Sequence, residues 1–140
     1  MKKELDEKLC KEFPLLYRLR RGKPHETSMC WGFSVDDGWF DLIYDLSVKI
    51  EKIIVGIKAE NLDTDLPYAS QVKEKFGGLR FYMNSATKDI YDLISKAEAD
   101  SYTICESCGK PGTTKRGSWI NTLCDEHHEE EQKRLRGDCP

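Results

Sequence analysis

The tightest constraint on this chain is a run of four potential ligands near its end. Cys105-Glu-Ser-Cys108-Gly109 is followed, fifteen residues after Cys108, by Cys124-Asp-Glu-His127-His128, a C-x2-C-x15-C-x2-H spacing. Two cysteines separated by two residues can reach one ion from a single tight turn. Gly109 frees the backbone just after the second, so that local N–H groups can face the sulfurs. Cys124 and His127 stand three apart at the start of a predicted helix over 125–135, so they share a face, and a helix N-terminus favours a thiolate. A tetrahedral Zn²⁺ takes four nitrogen or sulfur donors. Cys105, Cys108, Cys124 and His127 are therefore the expected ligands of one zinc ion. His128, one residue further on, and Cys139, if the tail folds back, are the alternatives to His127. Four protein ligands leave no open position for water, so the ion is expected to be structural and to hold together a segment with little core of its own.

Between the two pairs, 110–117 reads as a turn-rich excursion and 118–123 as a returning strand. Knuckle, hairpin and ligand-bearing helix in that order resemble the treble-clef arrangement of zinc modules. The run from Asn121 to His128 also resembles the end of zinc-containing HNH nucleases, in which a late histidine binds a catalytic metal. Those enzymes need a His or Asp base on the preceding hairpin, and 109–123 contains no His, Asp or Glu. The resemblance stops at the scaffold, and no catalytic residue is assigned. Asp36, Asp37, Asp41 and Asp45 gather at one helix start, where acids favour the dipole, and read as cap and surface residues rather than a two-metal site. No phosphate-binding glycine loop and no nucleophile elbow occurs.

Upstream, the pattern is that of a globular body. The chain has 140 residues, 39% hydrophobic, with three Trp, six Tyr and five Phe, too apolar and aromatic for disorder. The division expected is a helical, α+β body over 1–102 and a zinc-binding module over 103–140 packed on it. Leu5, Leu9 and Cys10 predict a helix over 2–12, and Pro14 opens a second short helix ending at Gly22. Phe40, Ile43, Leu46, Ile50, Ile54 and Ile57 predict a long amphipathic helix over about 38–59, with Asp36 and Asp37 as cap candidates. Asn61–Pro67 is a break. Residues 68–76 read as a short helix stopped by Gly77-Gly78, with Phe76 and Phe81 as core residues, and 79–83 as a strand. Thr87 caps a further helix to about Tyr102, with Ile90, Leu93, Ile94 and Ala97 inward. The fold class is α+β, mostly helical, with a short β segment.

Charge is unevenly placed: net +4 over 1–23, −6 over 24–72 and −1 over 73–140. The overall −3 argues against a dedicated nonspecific DNA binder. Arg18, Arg20, Arg21 and Lys23 still form a local basic cluster. Lys73, Lys75, Arg80 and Tyr82, around Phe76-Gly77-Gly78, and Lys115 and Arg116 on the hairpin with Lys110, are the candidate ligand or nucleic-acid contacts. Cys10 and Cys30 read as small, partly buried thiols and His25 as a loop residue. Met1–Lys8 alternate charges with no apolar stretch behind them, which predicts no signal peptide and a cytoplasmic chain.

The ordered set Gly38–Ile43, Gln71–Tyr82 (QVKEKFGGLRFY), Ala97-Glu98-x-x-Ser101, Cys105–Gly112 and Trp119–His127 resembles a family of small bacterial, phage and prophage proteins without a characterised function. The resemblance spans about 36–128. It implies a zinc-binding C-terminus and a mobile-element context, and no reaction. The expectation is a non-enzymatic zinc protein that inhibits or redirects a host defence machine by protein–protein contact. Its partner would be a host protein or protein–nucleic-acid complex, and its acidic stretch could mimic nucleic acid. The alternatives are direct nucleic-acid binding and a nucleotide or second-messenger sponge.

Overall fold

The computed structural model describes residues 1–60, 65–117 and 119–137. Helix α1 is Lys3–Glu12, α2 is Phe40–Glu60, α3 is Lys88–Ser101 and α4 is Asp125–Leu135. A three-stranded sheet consists of β1 (Phe33–Ser34), β2 (Ala69–Lys75) and β3 (Gly78–Met83), in spatial order β1-β2-β3. β1 runs parallel to β2, and β2 antiparallel to β3. Strands β4 (Thr113–Lys115) and β5 (Asn121–Leu123) form a separate antiparallel hairpin. The class is α+β. No helix among the described residues is long and apolar enough to cross a membrane.

One core joins these elements. Ile43, Leu46, Ile50 and Ile54 form the buried stripe of α2, and Ile90, Ile94 and Ala97 that of α3. Phe33, Val72 and Phe81 are register neighbours across the sheet and share its inner face. Trp39 is fully buried just ahead of α2. Thr87 caps α3, its Oγ1 accepting the Ile90 N–H. The edge of β3 away from β2 is closed by α3. Ser101 Oγ accepts the Leu79 N–H and Glu98 Oε2 the Phe81 N–H, both at 2.9 Å, so α3 takes the place of a fourth strand.

Two predicted helices are not formed. Within 68–76 the chain forms strand β2, paired antiparallel with β3, and the pairing is bulged between Ala69 and Gln71. The bulge sets the inward residues Ala69 and Val72 three apart, a helix-like spacing within a strand. Residues 14–20 are a run of turns, because their backbone groups bond distant partners. Both Glu51 carboxylate oxygens, on α2, accept the Leu15 and Leu16 N–H groups at 2.9 Å, and Leu16 O accepts the Ala69 N–H at 2.8 Å. Asp36 makes no side-chain cap at α2. Asp37 instead accepts the Lys2 N–H at 2.7 Å, at the start of α1. Residues 61–64 of the expected break, and Ser118 at the head of the expected returning strand, lie outside the described residues.

The turn from β2 to β3 overturns another expectation. Phe76 is 64% exposed rather than core, and it sits in the left-handed region at φ 53°, followed by Gly77 at φ 84°. A two-residue turn with both φ positive matches the strand twist and favours Asn-Gly, so phenylalanine is strained there. Gly78 is needed for a different reason: a Cβ on it would meet Tyr102 Oη at 2.3 Å. Phe76→Asn should therefore raise stability by about 1 kcal/mol, read as a higher chemical-denaturation midpoint at unchanged slope. Gly78→Ala should lower it by about 1–3 kcal/mol. A large loss from Phe76→Asn would restore Phe76 to the core.

Candidate metal centre

The turn after α3 carries the first two ligands. Gly109 N donates to Cys105 O at 2.8 Å, closing a loop that presents both sulfurs on one side, and Gly109 adopts φ 83° to complete it. The second pair comes from the junction of β5 and α4, with Cys124 immediately before the helix and His127 on its first turn. His128 N donates to Cys124 O at 2.9 Å, which fixes the helix start and aims His127 back at the sulfurs.

The four donor atoms lie within 4.8 Å of one another. His127 Nδ1 is 3.1 Å from Cys124 Sγ and 3.7 Å from Cys105 Sγ, and Cys108 Sγ is 3.9 Å from Cys124 Sγ. A tetrahedral ion with metal–sulfur bonds of about 2.3 Å and metal–nitrogen bonds of about 2.0 Å needs donor separations of roughly 3.5–3.8 Å. The residues therefore fit such an ion. On the far side of the ring, His127 Nε2 faces Glu130 Oε2 at 3.9 Å. Cys105 is fully buried, and burial pushes its thiol up. The N–H groups of Cys124, Cys108 and Ser107 outweigh that and bring it below the ordinary value. At Cys108 the Lys110 N–H acts downward, but burial and the neighbouring Cys105 and Cys124 sulfurs win and the thiol is raised. Three sulfurs this close repel as thiolates unless a cation sits among them.

This centre is bonded into the body through residues to which sequence reasoning gave no role. Gly38 N donates to Glu106 O at 2.7 Å, and a Cβ on Gly38 would lie 2.3 Å from Cys105 O. Trp39 Nε1 donates to Ile104 O at 2.9 Å, and Glu106 Oε2 accepts the Asp36 N–H at 3.0 Å. Burial pushes the Glu106 carboxyl up to about 7, against the Asp36 N–H acting downward. On the hairpin, Thr114 pairs with Thr122, and Thr122 Oγ1 donates to Gly77 O at 2.6 Å, so that face seats on the β2–β3 turn. A Gly-Trp pair just before a long helix was the available signal for the Gly38 contact.

The other predicted residues separate into two groups. Lys73 pairs with Arg80 and Gln71 with Tyr82 across β2 and β3, one step out of phase with the buried Val72–Phe81 pair. Lys73, Lys75, Arg80 and Tyr82 therefore share the sheet's outer face. Arg80 also donates to Tyr102 Oη at 3.1 Å. A groove of about 590 Å³ runs over this face, lined by Lys73, Tyr82 and His25 among others. Two of the N-terminal arginines, Arg18 and Arg20, are spent internally, while Arg21 is exposed. Arg20 grips Asp6 through Nε at 3.0 Å and a terminal nitrogen at 3.1 Å, and donates to Cys30 O at 2.9 Å. Arg18 donates to the carbonyls of Leu15, Leu66 and Pro67 and lies over the Tyr68 ring. Cys10 donates to Asp6 at 3.5 Å, and burial, then Asp6, pushes its thiol up to about 12. Lys115 pairs with Asp125 at 2.9 Å. The acidic stretch 24–72 does not form one continuous face. Glu51 and Asp37 are spent on backbone, and the exposed Asp41 and Asp45 share α2 with exposed Lys49 and Lys52. Cys139 lies outside the described residues, and His128 points away from the cluster.

No family model, curated protein or solved structure matches this chain. Two variants test the geometry. His127→Ala should lower bound metal well below one equivalent while His128→Ala leaves it unchanged, measured by elemental analysis of the purified chain. Gly38→Ala should cost about 3 kcal/mol in chemical denaturation, because backbone on both sides blocks the added methyl.

Proposed function

We propose that the chain is a non-enzymatic binding protein whose module, in the treble-clef arrangement, is held by a structural zinc ion. The observation that carries this is the convergence of three thiols and one imidazole, whose donor atoms all lie within 4.8 Å of one another. Sulfur-rich donor sets suit zinc, and four protein donors fill its coordination shell. When bound, the ion supplies cross-linking and neutralises the thiolates. The chain's own residues do the rest, transmitting the clamp to the core through Gly38 and Trp39. The resemblance to mobile-element proteins supports a host protein or protein–nucleic-acid assembly as the partner, with inhibition or redirection of a defence machine as the outcome.

A second reading has an observation of its own. Lys73, Lys75, Arg80 and Tyr82 on one outward sheet face, beside exposed Phe76, combine cations with aromatic surfaces, as single-strand binders do. Native mass spectrometry of the tagged chain recovered from a bacterial lysate separates the two. One zinc with a stoichiometric host protein is the expected spectrum. Co-purifying nucleic acid, with affinity falling steeply in salt, would move the sheet-face reading ahead. A zinc-free chain would sink the metal assignment. Cys108→Ser should remove the ion and release 103–137 while the helical signal of α2 persists, followed by circular dichroism and limited proteolysis.

A further inference from the structure

The face of the β4–β5 hairpin opposite the body carries the register pair Lys115 and Asn121 and looks onto α4. Between them lies a cleft of about 170 Å³, also lined by Arg116, Trp119, His128 and Glu131. Two of the residues lining it each carry a buried polar atom without a hydrogen-bond partner among the described residues. Asn121 is 7% exposed; its Nδ2 donates to Glu131 Oε2 at 2.6 Å, which leaves Oδ1 as an unanswered acceptor. His128 Nδ1 is the other. His128 follows His127 on the helix, so a rotation of about 100° turns its ring from the metal toward the cleft. Leaving one such atom unpaired is costly, and two on one small cavity mark a place where something polar binds.

The mouth narrows the chemistry. Trp119 is 68% exposed, a large apolar ring presented to solvent, and exposed Arg116 makes no ion pair among the described residues. An occupant that answers every group has a flat ring with donor and acceptor atoms on one edge, a face that stacks on indole, and an anion nearby. The volume suits one heterocyclic base and not a base with its sugar and phosphate. We infer that this cleft binds the base of a 5′-nucleotide. On binding, the Asn121 and His128 side chains turn to present these buried atoms, Asn121 Oδ1 accepting an N–H of the base edge and His128 Nδ1 bonding the adjacent edge atom. Trp119 stacks on the ring and Arg116 meets the phosphate at the mouth. The site lies apart from the sheet face and requires only that α4 be in place, which the metal secures.

The test uses the full chain with one bound zinc verified in every sample. AMP, GMP, CMP and UMP, with the matching nucleosides, are titrated by calorimetry. The expected result is saturable one-to-one binding of at least one nucleotide. Arg116→Ala should weaken the nucleotide about tenfold and leave its nucleoside unchanged, and Trp119→Ala should weaken both about tenfold or more. His128→Leu should abolish binding and retain the zinc. A 5′-phosphorylated dinucleotide distinguishes a free nucleotide from a strand end, and binding of either supports the cleft. No saturation at millimolar nucleotide with zinc present would overturn the inference, as would binding that survives Trp119→Ala and His128→Leu. Uptake of a second divalent ion abolished by His128→Leu, without nucleotide binding, would also overturn it. Failure with the zinc intact removes the cleft alone; a chain purified without zinc removes the metal reading instead.

Discussion

The contact on which the structure depends is the approach of Gly38 to the turn that carries Cys105 and Cys108. Backbone meets backbone there, with Gly38 N donating to Glu106 O at 2.7 Å and no room for a side chain. On one side of this contact is Cys105, fully buried and a candidate metal ligand; on the other is Trp39, fully buried in the main core. The indole also donates to Ile104 O, so the residues flanking Gly38 and Cys105 are tied twice. A metal clamp stabilises a segment by limiting the unfolded chain. It stabilises a whole protein only when the clamped turn is joined rigidly to the core, and this seam supplies that joint. Metal occupancy and the packing at the start of α2 are therefore expected to be coupled.

The same economy governs the sheet. A three-stranded sheet leaves two edges, and β3 would offer its free N–H groups to any extended chain. Ser101 and Glu98 accept those groups from the side, which explains polar residues on the inward part of α3. The β2–β3 turn then has two tasks. Gly78 makes room for Tyr102, and the Gly77 carbonyl receives the Thr122 hydroxyl of the hairpin. Phe76 pays for that geometry with a left-handed backbone and gains little burial. Strain at an exposed aromatic points to a surface used for contact rather than for folding.

Where the sequence could be read, the reason is that the determining interactions are local. The grouping of Cys105, Cys108, Cys124 and His127 follows from spacing within a turn and within the first turn of a helix. Helices α2 and α3 follow from apolar periodicity, and the Thr87 cap from one side chain. Strand β2 could not be read this way. The bulge at its start spaces Ala69 and Val72 by three, and Phe76 completes an apparent helical stripe while pointing at solvent. The turns over 14–20 were hidden because their partners, Glu51 and Ala69, lie far along the chain. Lys73, Lys75, Arg80 and Tyr82 were visible as a cluster, but their common face required the strand pairing. The cleft was not legible at all, since an orphaned Asn121 Oδ1 exists only once Nδ2 has found Glu131.

Helix α4 is held with little apolar contact. It has no buried residue, and its pairs Lys133–Glu129 and Arg134–Glu131 are exposed contacts worth a few tenths of a kcal/mol each, about 0.3–0.5. An eleven-residue helix is marginal alone. It is attached by the Cys124 and His127 end at the cluster, by the Lys115–Asp125 pair on its first turn and by the Asn121–Glu131 bond further on. These attachments are polar. The face away from the hairpin stays solvated, and the cleft between helix and hairpin stays open instead of collapsing into apolar packing. A larger hydrophobic contact would have held α4 at the cost of filling the cleft. Polar attachment, rather than burial, therefore sets the distance between the two walls.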